Sequence, residues 1–350
     1  MRQRALQALL LAHAIEQTDP AGDAVSHDDR AQASLEAADG RPLPVADNAP
    51  AQINGDTERF LVRRADVLLA RLRVRSPGID RVLAAAAGAS GLDRTLLVLG
   101  FILGVALAFA DGGRIDIFAY ALIGLVLWNL IAYVVLIVRT FRAPGKASPE
   151  TAAFLRDGFF RRWLARLYAK RVRARIDALI THSIGFNAPL APGLRRFAVD
   201  WCEVGQPVFR ERGRRLLHLA AILAAAGLMA GYDFRGWILR QAAGWSSTVF
   251  GPSSAHTALV ILYGAASGVS GVRIPSAQDL LALAWTGHTG GGPAGQWLYL
   301  IDWTAILFIV LPRLIAVILT TLTLWRRSLT LRTPASFAGY LTAVLRPRET

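Results

Sequence analysis

The residues of this chain that could do chemistry are few. Its six histidines stand at positions 13, 27, 182, 218, 256 and 288, and its one cysteine is Cys202. No histidine has a second ligand at the three- or four-residue spacing that puts two side chains on one helix face. Each therefore reads as a surface or interface residue, and no metal site is expected. A lone cysteine excludes a disulfide framework and a cysteine metal cluster. Gly268-Val269-Ser270-Gly271 and Gly88-Ala89-Ser90-Gly91 both match the short Gly-x-Ser-Gly pattern of a membrane-embedded serine nucleophile. Acyl transfer there also needs a histidine on another helix at the same depth. His218 and His256 lie near the ends of apolar runs and His288 lies in a loop, so hydrolysis ranks last. The glycine-rich stretch 287–295 is followed by no Gly-Lys-Ser/Thr and is no phosphate loop. No catalytic, cofactor or metal residue is assigned, and an enzyme is not expected.

Arg313 is the strongest single residue. It falls inside the long apolar run 297–325. An arginine at mid-membrane costs about 2.5–3.5 kcal/mol on insertion scales, so it usually faces the bundle interior with a partner. Asp302 is nearly on the same helix face but about 16 Å away along the axis. The two cannot pair within one continuous helix. Pro312 frees the carbonyl four residues back, at Phe308. Asn129, near the centre of another apolar run, is an acceptor within reach. Two readings stay open: a functional polar pocket, and a structural kink in which Arg313 bonds carbonyls and Asn129.

The elements that must position these residues are membrane helices. Hydrophobic residues are 53% of the 350, charged residues only 18%, and mean hydropathy is +0.38. Soluble chains carry about 25% charge, so the composition argues against a soluble enzyme. A span needs about 20 apolar residues. Residues 117–138 qualify with no charge. Residues 95–110 and 216–231 are shorter and need flanking residues that snorkel. The run 297–325 has Trp303 and Trp325 suited to the two interfaces. Residues 255–272, rich in Gly and Ser between Pro252 and Pro275, could span or re-enter. Gly100/Gly104, Gly227/Gly231 and Gly264/Gly268 are Gly-x-x-x-Gly pairs, which let helix backbones approach closely in lipid.

Charge sets the orientation. Residues 1–94, 139–215 and 326–350 hold 12, 17 and 5 of the 39 Lys and Arg. Basic residues concentrate on the cytoplasmic side. Placing all three stretches there requires an even number of spans, and four spans with 255–272 re-entrant fit. The net charge of +14 is thereby explained as topology, and nucleic acid is not an expected partner.

The chain then divides into a cytoplasmic N-terminal helix and acidic linker (1–59), a basic helix (60–94), a membrane hairpin (95–138), and a basic cytoplasmic insert (139–215). A second membrane unit (216–325, with 232–296 external) and a cytoplasmic tail (326–350) complete it. At the N-terminus, Gln7, His13, Glu16 and Gln17 interrupt the apolar run, favouring an amphipathic helix over a signal peptide. Residues 18–56 read as a flexible connector. One helix is expected over 60–87 and another over 148–183, started by Ser148-Pro149-Glu150. On the second, Leu155, Phe159, Trp163 and Leu167 recur every four residues. Arg161, Arg162, Trp163, Arg166, Lys170 and Arg171 are candidate contacts to lipid or a partner.

Arg214-Arg215-Leu216-Leu217-His218, Gly244-Trp245-Ser246-Ser247-Thr248 and Val310-Leu311-Pro312-Arg313-Leu314 resemble motifs of an uncharacterised bacterial inner-membrane family, domain of unknown function 2868. The likeness covers the chain from about residue 60 and is best over 210–325. It implies a multi-pass inner-membrane protein without an established activity. Members are often encoded beside a GTPase, which implies such a partner. The expectation is thus an all-α integral membrane protein with four transmembrane helices, a re-entrant helix and basic cytoplasmic helices. It acts as a membrane platform docking a cytosolic partner, alternatively as a transporter or channel component around Arg313. The bilayer is its first partner, and a homo-oligomer stays open.

Overall fold

A computed structural model describes residues 3–40, 55–87, 90–110, 112–141, 159–182, 188–246, 251–285 and 290–329, with Tyr340 and Val344. The Ser148-Pro149-Glu150 start, Leu155, Ser247, Thr248 and His288 lie outside them. The described chain is almost entirely helical. Its helices are α1 (Gln3–Thr18), α2 (His27–Ala38), α3 (Gly55–Arg75), α4 (Ile79–Ala87), α5 (Ser90–Ala108), α6 (Tyr120–Phe141), α7 (Phe159–His182) and α8 (Ala191–Val204). There follow α9 (Gln206–Asp233), which runs into a π-helical turn over Phe234–Ile238, then α10 (Pro252–Ser270) and α11 (Ala277–Ala282). Last come α12 (Gly295–Ala305), a second π-helical turn over Ile306–Val310, and α13 (Leu311–Leu329). Two short strands, β1 (Ile115–Asp116) and β2 (Ala243–Gly244), pair in parallel.

Three sequence expectations change here. The helix expected over 60–87 is two helices. Pro77 has no N–H and Gly78 disfavours helix, so the chain breaks between α3 and α4. The connector expected over 18–56 is ordered in its first half. Ser26 caps α2 by accepting from the Asp29 N–H, and Asp28 and Asp29 complement the first turn. Asp19 gathers the N–H groups of Asp23, Ala24 and Val25 at 2.8, 3.1 and 3.0 Å, with the Arg30 guanidinium at 2.7 Å. Finally, α1 is no amphipathic surface helix. Every residue from Leu6 to Ala14 is buried, Gln7 and His13 included.

The chain forms two compact units. The first comprises Met1–Ser90, Phe159–Gly213 and Leu322–Thr350. Within it α1 packs on α3 and α8, α2 on α3, and α7 on α8 and α4. Trp201 anchors the core, donating from its indole N–H to the Ala86 carbonyl at 3.0 Å and meeting Phe209 edge-on. Tyr168 stacks on Phe209.

The second unit comprises Gly91–Gly158 and Arg214–Thr321. Its core is apolar and aromatic, built from Phe118, Leu122, Tyr232, Tyr263, Trp297 and Ile301 among others. Among the described residues two helical runs are long and apolar enough to cross a membrane, Gln206–Ile238 and Gly295–Arg326, and Tyr120–Val134 is a shorter apolar helix. The outer faces stay apolar: Ile102 and Leu103 on α5, Trp128 and Ile131 on α6, and Ile315 and Ile318 on α13 are all exposed. Helices α5 and α9 touch backbone to backbone. A Cβ at Gly100 would lie 2.8 Å from the Ala220 carbonyl oxygen, and one at Gly231 would lie 2.6 Å from Ala108 Cβ. At Gly104 and Gly227 it would overlap the carbonyls of Ala224 and Phe101 outright.

Candidate functional site

The polar centre of the second unit gathers around Arg313. The guanidinium Nε donates to Asn129 Oδ1 at 2.7 Å, and Nη1 lies 3.0 Å from His218 Nδ1. A guanidinium only donates, so His218 must offer the Nδ1 lone pair and carry its proton on Nε2. The Tyr133 ring lies under the guanidinium, 5.4 Å from Cζ to the ring centroid. Asn129, 1% exposed, donates its own amide to the Leu125 carbonyl at 2.7 Å. The four residues come from three helices, α6, α9 and α13.

Proline explains why the site sits here. Pro312 has no N–H to offer the Phe308 carbonyl, which lies within the second π-helical turn. The Tyr133 hydroxyl lies 3.2 Å from that oxygen and 3.4 Å from Asn129 Oδ1, and its single proton serves one at a time. The helix irregularity and the arginine network are thus one construction. All of Arg313's partners are neutral; among the described residues it makes no ion pair. Asp302 does not join it. The Asp302 Oδ1 atom is buried without a hydrogen-bond partner among the described residues.

Of the six glycines singled out, Gly100, Gly104, Gly227 and Gly231 lie in the α5–α9 contact, whereas Gly264 and Gly268 face open space. Arg161 and Arg162 lie in α7, but their side chains are outside the described residues. Arg166, Lys170 and Arg171 are exposed on that helix, as is Trp163 at 49%. The apolar side of α7 (Leu164, Tyr168, Val172 and Ile176) is at most 1% exposed within the first unit.

Sequence reasoning missed three features. His218 and Tyr133 belong to the Arg313 network. Tyr133 stands four residues after Asn129, on the same face of α6, and that spacing was a usable signal. Arg235, fully buried, donates to Gln241 Oε1 and the Gly112 carbonyl at 2.8 Å each and to the carbonyls of Ala108 and Arg114. It ties the first π-helical turn to the end of α5 and the approach to β1. In the first unit, Arg64 is bidentate with Glu16 at 2.6 and 2.9 Å, and Tyr340 bonds both. Burial opposes the Arg64 charge, but the bonds to Glu16 and Tyr340 outweigh it and hold Arg64 protonated above its ordinary range.

Comparison with known proteins gives no match: no protein-family profile, curated protein or solved structure aligns with this chain.

Proposed function

We propose that this chain is a four-span bacterial inner-membrane protein whose first unit is a cytoplasmic platform docking a soluble protein partner. The spans are α5, α6, α9 and the α12–α13 run. The exposed apolar faces of α5, α6 and α13 support this, because such surface belongs against lipid. Helix α10 does not add a fifth span. Its central Tyr263 donates to the Ile117 carbonyl at 2.9 Å and meets Trp297, both near the outer ends of their spans. That supports a re-entrant or interfacial helix.

The observation that carries the platform reading is the contrast between the units. The second unit buries a large cluster of aliphatic and aromatic side chains. The first unit has its own core and an exposed cationic helix face on α7. The family resemblance points to a GTPase as the partner. The test is capture by the intact, detergent-solubilised chain from cytosol loaded with GTP or with GDP. A stoichiometric partner whose recovery depends on the nucleotide supports the reading, and no partner under either condition refutes it.

A transporter component is the second reading, favoured by the Arg313 network beside a π-helical turn, a feature frequent at functional sites. It requires a continuous polar path, and the apolar cluster on the outer side of that network, including Ile301, Ala305 and Ile309, opposes one.

A further inference from the structure

The exposed side of α7 has a charge pattern that selects one kind of ligand. Arg166, Lys170 and Arg173 stand at i, i+4 and i+7, so they form one stripe along the helix, about 10 Å from first to last. Asp177 continues the stripe four residues on. Together with Ala169, Ala174 and, across from them, Gln206, these residues line a shallow groove of about 480 Å³. Among the described residues Arg166, Lys170, Arg171 and Arg173 make no ion pair. Behind the stripe the buried Cys202 thiol donates to the Ala169 carbonyl at 3.4 Å; burial pushes that thiol's pKa up, and Arg173 partly opposes the rise.

A bilayer fits this surface poorly. An amphipathic helix binds membranes by burying its apolar side between headgroups. The apolar side of α7 is already taken up by the core of the first unit, and among the described residues Trp163 is the one large apolar side chain the helix exposes. Anionic headgroups would also meet Asp177 at the end of the stripe. A groove is entered by a narrow element and not by a flat sheet of lipid. A mixed pattern of three cations and one anion sets register, which a protein ligand can match and a lipid surface cannot.

We infer that the α7 groove binds an acidic segment of the docked protein, carrying three carboxylates on one helical stripe and a cation opposite Asp177. This rests on the platform reading and adds the chemistry of the partner's contact. Carboxylates at i, i+4 and i+7 of a helix repeat the spacing of the three cations, and a lysine at i+11 falls opposite Asp177. Exposed pairs of this kind contribute little singly, so recognition depends on the whole set being in register.

The experiment uses the full chain in phosphatidylcholine nanodiscs and a fluorescent helical peptide with Glu at i, i+4 and i+7 and Lys at i+11. A scrambled peptide of the same composition is the control. The matched peptide should bind about tenfold tighter than the scrambled one. Arg166→Glu with Lys170→Glu should remove that preference. Asp177→Lys should transfer the preference to a peptide with Glu at i+11, a gain that misfolding cannot imitate. Equal binding of matched and scrambled peptides overturns the inference, as does an Asp177→Lys chain with unchanged preference. Binding to phosphatidylglycerol vesicles that Arg166→Glu with Lys170→Glu abolishes, with no peptide binding, assigns the groove to lipid headgroups and overturns it too. A cytosolic partner captured equally by the native chain and the double variant leaves the platform standing and removes the groove. Peptide binding without any captured partner does the reverse.

Discussion

Adding one methyl group should separate glycines that look identical in sequence. Gly104 and Gly264 are both members of Gly-x-x-x-Gly pairs in apolar helices. At Gly104 a Cβ would overlap the Ala224 carbonyl, whereas at Gly264 it would meet nothing within 4 Å. The obstacle at Gly104 is backbone, so no side-chain rotation relieves it. Helices α5 and α9 would have to part. Even at Gly100, the milder case, a Cβ at 2.8 Å must retreat about 0.6 Å to reach ordinary contact at 3.4 Å. Overpacking of this kind costs about 1–3 kcal/mol. Alanine also favours helix over glycine by up to about 1 kcal/mol, a gain common to both sites. The difference between Gly104→Ala and Gly264→Ala therefore isolates the collision. Unfolding in mixed detergent should show Gly104→Ala and Gly227→Ala destabilised by about 1–3 kcal/mol relative to Gly264→Ala and Gly268→Ala. Equal stability of the four variants would refute the α5–α9 backbone contact.

Two further outcomes follow from the polar groups. Asn129→Leu leaves Arg313 Nε without its acceptor and should destabilise the protein by about 1.5–3 kcal/mol, while Arg313→Leu added to it should recover part of that loss because the stranded charge is gone; a double variant no better than the single would contradict the network. Burial lowers the His13 pKa below its usual 6.5, with Arg196 adding to this against Asp200 and Glu16, so the native state prefers neutral His13 and the unfolded chain binds the proton more readily. Its contribution to stability is full above pH 6.5 and is lost as pH falls below that value, so a His13→Phe chain should show a flatter stability profile between about pH 5 and 7 in chemical denaturation.

The sequence made some of this legible. An arginine inside an apolar run demands an acceptor on another helix, and Asn129 near the middle of the run 117–138 is that acceptor. His218 was invisible because the register of α9 against α13 is a tertiary fact with no periodic signature. Gly100, Gly104, Gly227 and Gly231 pack tightly while Gly264 and Gly268 do not, because spacing defines a smooth face but not what covers it. The four-residue recurrence expected along α7 is off by one position: Trp163 is exposed and Leu167 half-buried, while Leu164, Tyr168, Val172 and Ile176 are buried. That this side belongs to a protein core and not a lipid surface has no signature in the spacing, since both demand the same periodicity. Helix α1 misled for the opposite reason. It is buried on nearly all sides, so it has no polar face to mark its period. The α3–α4 break is legible in Pro77-Gly78, a pair that disfavours helix.

Topology tests the account at its root, because a platform must present its basic unit to the cytoplasm. Reporter fusions placed after Gly113 and Gly291 should read external, and fusions after Ala147 and Thr350 should read cytoplasmic, as the concentration of basic residues in 1–94, 139–215 and 326–350 requires. An external Thr350 would contradict the four-span arrangement, and an external Ala147 would put the α7 groove out of reach of any cytosolic partner.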